Sequence, residues 1–204
     1  MTMNSNSPLN LFIIGPSGCG KSTQAKLIAD KYNLTHLSMG QLLRDEIASK
    51  SPQGLIAKNF IDQGLWVPDE TTIQVLLTNL EKIDNSDFIL DGFPRLVDQG
   101  IFIKNYLAEK EKSLDLLILL DVSFEEILAR RQKKGDDFQD ASRSDNTPEA
   151  IAKRQASYDD TVGPIKQHFS QDATLFVIDG NRPVEPIFDD ICQKIDSLII
   201  SQNS

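Results

Sequence analysis

Along the chain, short runs of consecutive apolar residues alternate with longer stretches of helical period. Leu9 to Ile14, Leu34 to Ser38, Phe88 to Leu90, Leu114 to Val122 and Thr174 to Ile178 predict strands, several of them apolar on both faces. A strand without a polar face is covered on both sides, which is the habit of a parallel sheet lying between helices. Helices are predicted over 20–31, 41–50, 53–63, 69–82, 96–109, 124–134, 148–169 and 184–200. Three entrances carry start signals: Ser51-Pro52, Pro68-Asp69-Glu70 and Thr147-Pro148-Glu149 each supply a cap or a first-turn proline. Together these predict an α/β fold, doubly wound, with about five parallel strands. No repeat, low-complexity tract or linker divides the 204 residues, so one domain is expected. Two stretches break the alternation, one over about 38–67 that is helical with no strand, and one over about 134–145 that is polar and rich in Gly, Asp and Ser. Both are expected to be lobes on the core.

Composition narrows the function classes. With 40% hydrophobic and 25% charged residues the chain is that of an ordinary globular protein. Twenty-one Lys and Arg against thirty Asp and Glu give a formal charge of −9, which argues against nucleic acid or an anionic membrane as partner. Two cysteines, Cys19 and Cys192, are too few for a four-ligand zinc site or a disulfide framework, so reduced thiols in a cytoplasmic setting are expected. Residues 1–10 lack the cationic start of an export signal, and the longest aliphatic run, Leu116 to Leu120, is far short of the ~20 residues that cross a bilayer.

The first strand runs into Gly15-Pro16-Ser17-Gly18-Cys19-Gly20-Lys21-Ser22 and then a helix. This is G-x-x-x-x-G-K-[ST] in the strand, loop and helix setting the motif requires. Its glycines let the backbone curl until successive N–H groups face phosphate oxygens, with the positive end of the helix behind them. Lys21 adds a full charge toward the β- and γ-phosphates, and the hydroxyl of Ser22 or Thr23 suits magnesium. The guanine-reading N-K-x-D is absent, and Asp160-Thr161-Val162-Gly163, which has the letters D-x-x-G, lies inside a helical stretch. A second polar cluster follows the apolar run Phe88-Ile89-Leu90. Asp91-Gly92-Phe93-Pro94-Arg95 places a carboxylate and an arginine at a strand end that, in a parallel sheet, faces the same crevice as the phosphate loop.

D-G-F-P-R, with the loop ending in K-S-T-Q, resembles the nucleoside monophosphate kinases, and the adenylate kinase branch in particular. The resemblance runs from about residue 9 to 195. It implies a core over 9–37, 68–133 and 145–200, a monophosphate-binding lobe over about 38–67 and a short lid over about 134–144. On the ATP side it implies Gly18, Cys19, Gly20, Lys21, Ser22, Thr23, Arg130, Lys134 and Arg182, the last through the main chain of the loop Asp179 to Val184. On the AMP side it implies Met39, Arg44, Leu65, Trp66, Val67, Gly92, Phe93, Pro94, Arg95, Arg143 and Arg154, with Gln99 bonded to the adenine. Lys21, Arg95, Lys134, Arg143 and Arg154 would act on the transferring group. Ser22, Thr23 and Asp91 would hold Mg²⁺ directly or through water. The short lid contains no cysteine, so no structural zinc is expected, and the short-lid relatives suggest a monomer.

Four positions depart from the family pattern: Met39 stands for Thr or Ser, Gln41 for Asp, Lys134 for Arg, and Asn146 for an acidic residue. A thioether cannot donate a hydrogen bond. Met39 therefore leaves a UMP- or CMP-directed kinase open as an alternative to AMP, and the departures together leave open a nucleotide-binding regulator without turnover. Charge distribution favours the enzyme. Of seven arginines four lie between 130 and 154, a segment with seven basic and five acidic residues in an otherwise acidic chain. Arginine's planar fork suits phosphate. The nucleophile would be a phosphate oxygen already ionised near neutrality, its second pKa being ~6. No general base is required, and His36 and His168 are expected to be structural or at the surface.

Overall fold

All five predicted strands and all eight predicted helices form, with ends within about two residues of the expected ones. The computed structural model describes residues 9–83, 87–134, 148–172 and 174–202, the side chains at 131, 133, 134 and 148 apart. In chain order the elements are β1 (Asn10–Ile14), α1 (Lys21–Tyr32), β2 (Thr35–Ser38), α2 (Met39–Ser49), α3 (Pro52–Ile61), α4 (Asp69–Lys82), β3 (Phe88–Asp91), α5 (Val97–Glu109), β4 (Leu116–Asp121), α6 (Phe124–Lys134), α7 (Pro148–Ser170), β5 (Leu175–Asp179) and α8 (Val184–Gln202). The stretch expected to be a lobe over 38–67 is the helix pair α2 and α3. The expected lid lies outside the described residues from 135 onward.

The strands make one parallel sheet in the order β2-β3-β1-β4-β5. Sequence hydrophobicity tracks that order. The three inner strands, NLFII, FILD and LLILLD, are buried throughout except for the final Asp121, whereas the edge strands THLS and LFVID are only partly buried. Because side chains alternate along a strand, the sheet feeds two separate cores. Phe12, Ile14, Phe88, Leu90, Leu117 and Leu119 face one side, where α2, α4, α5 and α7 supply Met39, Leu76, Ile103 and Phe169. Leu11, Ile13, Ile89, Leu116, Ile118 and Leu120 face the other, covered by Ile28 of α1, Ile127 of α6 and Ile187, Ile191 and Ile195 of α8.

Packing of the lobe helices turns on one glycine. A Cβ at Gly54 of α3 would lie 2.0 Å from the carbonyl oxygen of Glu46 in α2, so only a bare Cα lets the two helices cross so closely. Ser51 caps the same helix, its hydroxyl accepting the Gly54 N–H at 2.9 Å, with Pro52 in the first turn. Since the obstruction is backbone, Gly54→Ala has to push the helices apart. It is expected to cost roughly 1–3 kcal/mol, or about 3–10 °C in Tm for a chain of this size; thermal unfolding followed by circular dichroism checks this, and an unchanged Tm would refute the packing argument.

Candidate active site

The site lies where the sheet reverses its winding. Strand β1 has β3 on one side and β4 on the other, so the loop leaving β1 opens into the crevice between helices that go to opposite faces. Register then decides which residues meet. Ile13 pairs with Asp91, and the Gly92 N–H donates to the Ile13 carbonyl at 3.0 Å, which sets the end of β3 beside the phosphate loop. Gly18 and Gly20 hold the loop at φ of 87° and 100°, a region that side chains other than glycine's rarely enter. Gly20 leads directly into α1, so the loop's N–H groups and the helix N-terminus face the same space. Lys21 folds over the loop, donating from Nζ to the Pro16 carbonyl at 3.2 Å.

Asp91, 2% exposed, is the buried charge of the site. Ser22 donates its hydroxyl proton to Asp91 Oδ2 at 2.6 Å, while Asp91 Oδ1 has no hydrogen-bond partner among the described residues. His36 places Nε2 3.7 Å from Oδ2, beyond hydrogen-bond length, so its influence is electrostatic. Burial by itself would raise the Asp91 carboxyl, but His36, Lys21 and Ser22 together outweigh it and hold the group below the usual carboxylate range. The result is a buried carboxylate with one vacant oxygen next to a serine whose lone pairs are still available. That donor set fits a hard cation such as Mg²⁺, which favours one or two carboxylates plus phosphate oxygens. Burial raises the Cys19 thiol more than Lys21 draws it down, so Cys19 stays neutral within the loop.

Beyond the loop the cleft widens to about 770 Å³. Among the described residues five cations line it, Lys21, Arg44, Lys58, Arg95 and Arg154, against three carboxylates, Asp45, Asp62 and Asp91. A chain of charge −9 thus gathers an excess of cations, among the described residues, at this cleft. Leu65, Trp66, Val67, Gly92 and Pro94 also line it, as do Gly18, Gly20, Ser22 and Thr23 of the loop. Arg44 donates from Nη2 to Gln41 Oε1 at 2.7 Å, and Gln41 donates in turn to Asp45 at 2.7 Å. The substituted amide at Gln41 therefore orients Arg44 without neutralising it.

Several expected ligands take other positions. Met39 is 0% exposed within the core under α2 and does not line the cleft, so its thioether fills apolar space. Phe93 is likewise fully buried. Gln99, 3% exposed, has both ends engaged, with Oε1 accepting the Arg95 N–H at 2.8 Å and Nε2 donating to Asp69 at 2.7 Å. It holds the backbone of Arg95 in place of presenting its amide to the cleft. Arg130 is a tie between loops. Its guanidinium donates to the carbonyls of Cys19 at 2.8 Å, Gly180 at 2.5 Å and Arg182 at 3.3 Å, and Nε to Glu126 at 2.8 Å. Arg182 turns its own side chain to Asp190 at 2.8 Å, leaving its main chain at the loop. Arg143, Asp145 and Asn146 lie outside the described residues, as does the side chain of Lys134.

Sequence reasoning passed over other residues that the fold brings in. His36 was expected to be structural or at the surface, but it stands beside Asp91 because Ser38 pairs with Asp91 across β2 and β3. Tyr158, Thr161 and Ile165 share the cleft face of α7 with Arg154. Their spacing of four, seven and eleven residues from Arg154 is the helical stripe that could have signalled them. Burial, foremost, raises the Tyr158 phenol, which keeps it a hydrogen-bond donor.

The profile of the family described as adenylate kinase matches residues 13–174. Relatives bearing the name adenylate kinase span nearly the whole chain. The protein of Bacteroides fragilis is 36% identical over 191 residues, covering 93% of this chain and 100% of its own. That of Azobacteroides pseudotrichonymphae is 37% identical over 191 residues, with 93% and 98% covered. That of Clostridium perfringens is 31% identical over 217 residues, with 93% and 99% covered.

The direction of the Asp91 shift gives a pH test. A folded carboxyl that ionises below the ~3.9 of unfolded Asp stabilises the fold above that value and ceases to do so as pH falls through its depressed folded value. The difference in unfolding free energy between wild type and Asp91→Asn, measured with urea in EDTA, is expected to hold from pH 7 to 5 and to narrow below about pH 4. A difference that widens in acid would mean that burial has won and the carboxyl is raised.

Proposed function

The chain belongs to the adenylate kinase family, and we propose from that premise and from the cleft that it transfers a phosphoryl group reversibly from ATP to AMP, giving two ADP. The observation that carries the reading is the meeting of a phosphate loop with Arg44, Arg95 and Arg154 in one cleft of an acidic protein. A phosphate loop alone accounts for one nucleotide. Three further arginines on the same cleft, from outside that loop, answer to a second phosphate group.

In this reading Gly18, Cys19, Gly20, Lys21, Ser22 and Thr23 hold the ATP phosphates, and the main chain at Arg182 meets the ATP base. Arg130, which joins Cys19 to that base loop, fixes the distance between the two halves of the ATP site. Arg44, Arg95 and Arg154 hold the acceptor phosphate, while the backbone of the segment Leu65 to Val67 lies against the acceptor base and Gly92 and Pro94 shape the floor. Asp91, Ser22 and Thr23 would hold Mg²⁺, which when bound neutralises charge on the ATP phosphates. The acceptor phosphate, ionised near neutrality, attacks without a protein base. What the side chains supply is alignment and compensation of charge in a space closed to water. Lys134 and Arg143 would add lid cations once the segment over about 134–144 closes over the substrates, with the lobe over 38–67 closing from the other side. We place the enzyme in the cytoplasm as a monomer; the free, buried state of both Cys19 and Cys192 supports a reducing compartment.

AMP is preferred as the acceptor over UMP or CMP because the one residue that opened the alternative, Met39, is enclosed in the core and has no side-chain atom at the cleft. Initial rates of ADP formation from MgATP with AMP, CMP, UMP and GMP decide the matter. AMP is expected to give the highest kcat/KM, EDTA to abolish turnover, and Lys21→Met to lower kcat on the order of 10³-fold. Higher kcat/KM with CMP or UMP would reassign the acceptor, and binding of ATP without transfer to any monophosphate would make the protein a nucleotide-binding regulator.

A further inference from the structure

Arg95 is held at more than one point, and one of the holds is an aromatic face. Its backbone N–H is fixed by Gln99 and its Nε donates to the Gly92 carbonyl at 3.2 Å. Its guanidinium carbon lies 5.6 Å from the centre of the Trp66 ring, within cation–π range. Trp66 is half-buried, lines the cleft, and is the only tryptophan in the chain. It sits in the segment between α3 and α4, three residues ahead of the start of α4. The start of that helix supplies Asp69, which anchors Gln99 and through it the Arg95 backbone. The main chain and the guanidinium of Arg95 are thus both referenced to residues 66–69, which lie nearly thirty residues earlier in the chain.

We infer that Trp66 is a positioning residue for phosphoryl transfer: its indole face sets the plane of the Arg95 guanidinium and thereby aims that cation at the acceptor phosphate. This rests on the proposed reading of Arg95 as a ligand of that phosphate. The physical reason is geometric. An arginine side chain has four rotatable bonds, and its value to a phosphate depends on presenting two N–H groups in one plane. A ring face beside the guanidinium restricts the planes it can take without itself consuming the in-plane N–H donors.

Two measurements on the full-length protein test the inference. In the ligand-free protein, Arg95→Leu removes the charge over the indole and is expected to shift the emission maximum of the single tryptophan; an unchanged spectrum overturns the contact. In the rate assay, Trp66→Leu keeps an apolar side chain and removes the π face. It is expected to lower kcat/KM for AMP by roughly 5–30-fold, the equivalent of one desolvated cation–π contact, with KM for ATP unmoved and with most of the loss recovered in Trp66→Phe. A merely structural role for Trp66 predicts instead that Leu serves as well as Phe, and that result overturns the inference. Calorimetric AMP binding supplies the coupling: Trp66→Leu should weaken binding in the wild-type background and have little further effect when Arg95 is already Leu. An equal loss in both backgrounds would mean that Trp66 acts on the nucleotide directly, again against the inference. If the wild type transfers to no monophosphate, the proposed function fails, and the emission measurement still decides whether Trp66 holds Arg95.

Discussion

A parallel sheet buried on both faces leaves polar chemistry one place to gather, the loops at its strand ends, and everything functional in this protein depends on how the strands are registered there. Apart from Asp121 at the end of β4, the inner strands β3, β1 and β4 offer no polar side chain to solvent. The pairing of Ile13 with Asp91 sets a carboxylate against the phosphate loop, and the pairing of Ser38 with Asp91 brings the end of β2 and His36 to the same point. A slip of one residue would turn Asp91 to the other face of the sheet and leave Ser22 without its acceptor. The two cores, each filled from one face of the same strands, make that slip costly.

Electrostatics then follows from position. Burying Asp91 is unfavourable in isolation, and it is tolerated because Ser22, Lys21 and His36 lie around it. The arginines have the complementary arrangement. They are few in an acidic chain, and among the contacts that hold them at the cleft are the neutral amide of Gln41 for Arg44 and a carbonyl and a ring face for Arg95. Such holds preserve charge and fix direction, which are the two properties a phosphate demands.

Much of this was legible in the sequence because it is carried by local pattern. Continuous apolar runs marked the buried strands, Ser51-Pro52 marked a helix entrance, and the phosphate loop announced itself by spacing. What stayed illegible was set by contacts between distant residues. Met39 is read as a ligand by its place in a motif, yet the first turn of α2 points it into the core. Gln99 has the chemistry to read a base, yet Asp69, thirty residues earlier, and Arg95 engage both ends of its amide. Arg130 has the chemistry to grip phosphate, yet three carbonyls from two loops surround it. For Gln99 and Arg130 the residue type suits the expected task and partners from elsewhere in the chain engage it; for Met39 the apolar side chain goes where apolar side chains go.

The sequence by itself determined the α/β architecture, the phosphate loop and the acidic average charge, because periodicity, glycine spacing and composition act over a few residues and need no partner. The tertiary structure alone decided which cations face the cleft, that Asp91 is buried with one oxygen vacant, that His36 stands beside it, and that Trp66 lies against Arg95. Those outcomes depend on strand register and on the return of the lobe at residues 64–69, and both emerge only when the two hydrophobic faces of the sheet are covered at once.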